Sequence, residues 1–176
     1  MPEFKPRLPH PSQKCHPQRV NSLRLRASII LVFVLSLHSL APHCLAQDKG
    51  MWRAASNTAN SITGDIAISP IKLTINIVSY PLAQIRTLKP EEVSAVFDAD
   101  INAGGTGTLY SLRIPAAQRF LHKNTLCGTD ETQWMATFVS GRTLQLAFFS
   151  GSVPPVFTLD AISKSGAVCG TFTYAR

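Results

Sequence analysis

Through much of the chain beyond Ile62, apolar and polar residues alternate with a period of two, and that pattern belongs to half-buried strands rather than helices. Ile62, Ile66 and Ile68 alternate with Thr63, Asp65 and Ser69. After the Ser69-Pro70 turn signal, Ile71, Leu73, Ile75 and Ile77 alternate with Lys72, Thr74 and Asn76. Residues 82–88 fit a third strand, and Tyr110, Leu112 and Ile114 stand opposite Ser111 and Arg113. Four further strand faces follow: Trp134, Ala136 and Phe138; Leu144, Leu146 and Phe148; Phe157, Leu159 and Ala161; Phe172 and Tyr174. Ser-Gly pairs at 140–141, 150–151 and 165–166 punctuate them as turns. Short strands at this spacing predict an all-β domain, a small antiparallel barrel or sandwich of about eight strands.

One short helix near 90–98 interrupts the pattern. Pro90 stands where a first-turn proline belongs, Glu91 and Glu92 meet the positive end of the helix dipole, and Val93, Val96 and Phe97 form one apolar face. A second helical turn is compatible with 116–121.

Upstream lies a segment of a different kind. Arg24 and Arg26 precede the apolar run 27–37, and Cys44-Leu45-Ala46 offers a small-residue exit before Gln47. Basic flank, short apolar core and small-residue exit are the parts of a secretory signal. Residues 1–46 are therefore expected to be a leader cleaved near Ala46, and 47–176 a single β-rich domain that is exported, periplasmic or extracellular. The run stops at His38, short of the roughly 20 residues a membrane helix needs, so no permanent span is expected. A lipidated Cys44 is the weaker alternative, and Val20 an alternative start.

Removing the leader changes the charge argument. The whole chain carries a formal net charge of +7, but residues 1–46 hold six basic residues and one acid. The remainder holds 11 basic and nine acidic residues, so the invitation to read a nucleic-acid binder disappears. Four of the five histidines leave with the leader, and only Cys127 and Cys169 remain of four cysteines. An even pair in an exported domain reads as a disulfide, whose loop closure contributes roughly 4 kcal/mol in the chain-entropy model.

Little catalytic equipment is visible. His122 is the only histidine left, flanked by Leu121 and Lys123, and no Gly-x-Ser-x-Gly elbow accompanies it. Asp98, Asp100 and Asn102 resemble the opening of an EF-hand calcium loop, which gathers oxygen ligands around a tight turn. The pattern then departs: Ala103 stands where the loop's glycine belongs and Leu109 where its bidentate Glu belongs. Calcium through these three residues is the one cofactor the sequence suggests. Phe148 and Phe149 point to opposite sides of one strand, so Phe149, with Trp52, is a candidate for an exposed binding patch.

The outline is loosely similar to small periplasmic barrels such as the bacterial lysozyme inhibitors. Their motif residues are not matched, so the resemblance carries over no site. The expected role is a non-enzymatic binding or inhibitor-like module for a protein, an envelope component or a small apolar ligand. A secreted hydrolase using carboxylates or His122, and a structural envelope component, are the alternatives.

Overall fold

The computed structural model describes residues 48–176, and in it eight strands close into an antiparallel barrel. They are β1 (Gly50–Ala54), β2 (Ile66–Ile68), β3 (Lys72–Ile75), β4 (Val78–Thr87), β5 (Thr106–Ile114), β6 (Thr132–Ser140), β7 (Thr143–Ser150) and β8 (Val168–Ala175). Each pairs with its neighbour in sequence and β8 returns to β1, which leaves the barrel no open edge. The barrel reading is thus the correct one of the two expected, and the predicted leader with its exit at Ala46 lies outside the described residues.

Three helices accompany the strands: α1 (Asn57–Ile62), α2 (Pro90–Phe97) and α3 (Leu159–Lys164). Only α2 is expected from the sequence. Its first turn is fixed by Glu92, whose carboxylate accepts the Lys89 backbone N–H at 2.8 Å and the Arg86 guanidinium at 2.6 and 2.7 Å. Ile62 ends α1 instead of starting a strand, because Ser56 caps that helix by accepting the Ala59 N–H. Leu159 and Ala161 belong to α3, capped in the same way by Thr158. In both places a hydroxyl cap overrides a short alternation. A 3-10 turn at Leu121–Lys123 follows the 116–121 segment.

The wall of the barrel separates two apolar cores. Inside lie Trp52, Ile66, Leu73, Ile75, Tyr110, Met135, Leu144, Leu146, Phe148 and Tyr174, all at most 1% exposed. Outside β5–β7, α2 and α3 cover a second core of Leu109, Ala136, Phe138, Phe149 and Phe157. Phe148 meets Phe172 edge-on at 5.4 Å on the inner side, and Phe149 meets Phe157 at 5.7 Å on the outer. Two rings on opposite faces of one strand are therefore both buried, each in its own core. Gly107 makes the outer packing possible, since a Cβ there would stand 2.5 Å from a Val93 methyl of α2.

The Cys127–Cys169 disulfide is present, with Cα atoms 4.6 Å apart, and ties the loop before β6 to the start of β8. Strict alternation would place Cys169 on the side of Thr171 and Thr173. Phe148 instead pairs with Gly170 and Phe149 with Val168, so Cys169 is an extra residue in β8. This bulge, made at Gly170 with φ of 153°, packs the disulfide against the inner core.

Candidate functional site

A buried polar cluster fills one mouth of the barrel. The Asp48 side chain is 3% exposed, and its Oδ2 accepts hydrogen bonds from the Tyr110 hydroxyl at 2.6 Å and the Thr137 hydroxyl at 3.1 Å. Lys49 Nζ donates to the Tyr110 oxygen at 2.7 Å and lies 3.7 Å from Asp48 Oδ1. The Trp52 indole N–H donates to the Asp48 carbonyl at 2.8 Å. Burial, then the Asp48 carboxylate, push the Tyr110 phenol well above the usual tyrosine range, so it stays a proton donor. This arrangement resembles an acid–base relay in composition, with Tyr110 fully buried and Lys49 partly exposed. Its evident work is to anchor the start of β1 inside the barrel.

The interior beyond that mouth is filled. Side chains with zero exposure line no void the size of a water molecule, and the largest of them, Trp52, Tyr110, Tyr174 and Phe148, all project inward.

The outer wall offers a different site, and strand register builds it. Ala83 on β4 pairs with Ser111 on β5, Ser111 with Trp134 on β6, and Trp134 with Phe149 on β7. This row runs from small to large side chains, so the indole stands as a step above a low floor. The result is a groove of about 320 Å³ bounded by Pro81, Ala83, Ser111, Arg113, Gln133 and Trp134. The β5–β6 pairing shifts just beyond, between Ser111 and Ile114, and brings Arg113 and Gln133 to its rim. Trp134 is held in place because its N–H donates to the Gly151 carbonyl at 2.9 Å, and the ring, packed in part against the outer core, stays partly exposed. Arg113 is widely exposed and stands 3.7 Å from the Glu131 carboxylate.

The predicted site residues fall elsewhere. Trp52 is wholly buried in the inner core and Phe149 in the outer one, so neither forms an exposed patch; α3 and the segment carrying Phe157 cover Phe149. Asp98 ends α2 in the left-handed conformation, and Asp100 Oδ1 accepts the Asn102 backbone N–H at 2.8 Å. Asp98 is thus the helix cap, and Asp100 forms an Asx turn with Asn102. Among the described residues no group of three or more His, Cys, Asp or Glu is placed to hold a metal ion. His122 sits exposed in the 3-10 turn with φ of 52°. No helix among the described residues is long and apolar enough to cross a membrane.

Sequence reasoning missed the groove because its residues read as ordinary strand positions. Ser111 and Arg113 were recognisable as the polar side of β5 and Trp134 as an apolar face of β6. Only the pairing register sets them side by side. Compared with protein-family models, curated proteins and solved structures, the chain matches none.

Proposed function

We propose that this protein is an exported, non-enzymatic binding module that meets its ligand on the outer wall of the barrel rather than inside it. The observation that carries this reading is the contrast between a solidly packed interior and the Trp134–Arg113 groove outside. A stacking surface, a guanidinium, an amide and a hydroxyl converge there, and these are recognition groups. No histidine or carboxylate is among its lining residues, and the carboxylate of Glu131 stands 3.7 Å from Arg113. The disulfide supports export, because such bonds persist in oxidising compartments.

Nuclear magnetic resonance with the labelled chain tests the reading. Titration with envelope fractions should move the Trp134 indole and the Arg113 and Gln133 amides first. Ligand-dependent shifts confined to the Asp48 mouth or to the His122 turn would overturn it, as would turnover of any fraction by the purified chain.

A further inference from the structure

Resting on the binding-module reading, we propose that the outer groove takes a carboxylate-bearing sugar ring. Three features of the groove select this chemistry. Its lining comes from three adjacent strands, β4, β5 and β6, and its volume of about 320 Å³ limits it to a small ligand. One wall is the partly exposed indole of Trp134, whose N–H is already committed to Gly151, so what it offers a ligand is carbon surface rather than a donor. The negative face of an indole attracts the polarised C–H face of a pyranose. The polar groups around that wall are Arg113, Gln133 and Ser111, with one cation and no acid among the bounding residues. Such a set complements an anion bearing hydroxyls. The guanidinium fork of Arg113 suits a carboxylate in two-point contact, and its present partner Glu131, at 3.7 Å, is too distant for that geometry.

Two other occupants fit less well. A peptide that binds by adding a strand needs a free sheet edge, and this barrel is closed, with β4, β5 and β6 paired to neighbours. A purely apolar ligand would strip water from Arg113, Gln133 and Ser111 without replacing their hydrogen bonds.

The chain recovered after export should be titrated with a galacturonic acid trisaccharide, with the neutral galactose trisaccharide and with an acidic tripeptide. Tryptophan emission reports on the groove directly, because Trp52 is fully buried and Trp134 is the partly exposed indole. The acidic sugar should bind with a Kd of about 1 mM, in keeping with a single shallow ring site. The neutral sugar should bind at least tenfold more weakly. Arg113→Gln should weaken the acidic sugar at least tenfold with an unchanged Tm, since Arg113 is an exposed side chain. Trp134→Ala should abolish the emission change. Should that variant fail to fold, Arg113→Gln decides alone.

Equal binding of the acidic and neutral sugars, or no binding of either at 20-fold above the expected Kd (~20 mM), would overturn the proposal. Preferential binding of the tripeptide at the same residues would also overturn it, yet leave the binding-module reading intact. Cleavage of the sugar on binding would do the reverse, upholding the ligand class and sinking the non-enzymatic reading.

Discussion

The two halves of the barrel's outer wall are built from similar strands and meet different fates. On β5–β7 the outward residues are Leu109, Ala136, Phe138, Ala147 and Phe149, and α2 and α3 close over them. On β1–β4 they are Met51, Ala67, Thr74, Ser79, Pro81 and Ala83, and they are left partly or widely exposed. Strands of the covered half are buried on both faces and read as nearly continuous apolar runs, whereas β3 and β4 keep the alternation of a one-sided sheet. The difference teaches where a site can form. The groove lies on the boundary, where a row of small residues from the bare half runs into Trp134, the first large side chain of the covered half.

That comparison can be broken most directly at Phe149. Phe149→Ala removes a fully buried ring from the outer core and should cost about 4 kcal/mol in chemical denaturation. Thr74→Ala, on the bare half, should stay within about 0.5 kcal/mol. Equal losses would mean that the helices contribute nothing by covering β5–β7.

The inner core can be probed by alkali. Burial first of all raises the pKa of Tyr110 and of Tyr174. A raised folded pKa means stability that is fully present below the unfolded value of about 10 and lost as pH rises above it, by up to about 1.4 kcal/mol per pH unit for each group. Tyr174→Phe should flatten the slope of Tm against pH between pH 10 and 11, after allowing for the hydrogen bond it loses with Thr63 at 2.7 Å. An unchanged slope would show that this ring is not sealed inside.

Ile77 tests the bare half in the opposite direction. The β3–β4 turn consists of Asn76 and Ile77, with φ of 51° and 65°, and Ile77 is 98% exposed. Asparagine accepts that conformation, but a β-branched residue pays about 1 kcal/mol for it. Ile77→Gly should therefore raise stability by about that amount, measured as an increase in Tm with the fold unchanged by circular dichroism. A lower Tm would mean that the isoleucine makes contacts worth more than its strain.

The smallest effect concerns the outer helix. Hydrogen bonding to Arg86, first of several causes, holds the Glu92 carboxyl below its ordinary range. Stability from this pair is present above the unfolded pKa of about 4.3 and falls away as pH drops through the lower folded value. Because both groups are partly exposed, the pair is worth about 0.5 kcal/mol, and Arg86→Gln should remove that at pH 7 but nothing at pH 2. A loss persisting at pH 2 would point to the Arg86 guanidinium over Phe157, 5.8 Å from its ring centre.

Parts of this architecture were legible in the sequence for local reasons. Alternation at Leu73 and Ile75, at Tyr110, Leu112 and Ile114, and at Leu144, Leu146 and Phe148 predicts strands because side-chain direction in a strand depends only on parity. Pro90, Glu91 and Glu92 announce α2 through its own first turn, and Ser140-Gly141 announces the β6–β7 turn. Cys127 and Cys169 are paired by elimination. The sequence missed β1, which carries Trp52 but owes its strand conformation to pairing with β2 and β8 and to the Asp48 anchor.

The all-β class and the helix at Pro90 are thus readable from the chain, since each rests on neighbouring residues, and the cysteine pair is readable from the count of cysteines that remain. Tertiary structure alone decided which apolar face points inward, that Phe149 is covered while Trp134 stays partly open, and that Ala83, Ser111 and Trp134 share one row. Register couples residues 28 and 23 positions apart (Ala83 to Ser111, Ser111 to Trp134). No local preference encodes such a distance. It is set by how the closed barrel satisfies all of its strand pairings at once.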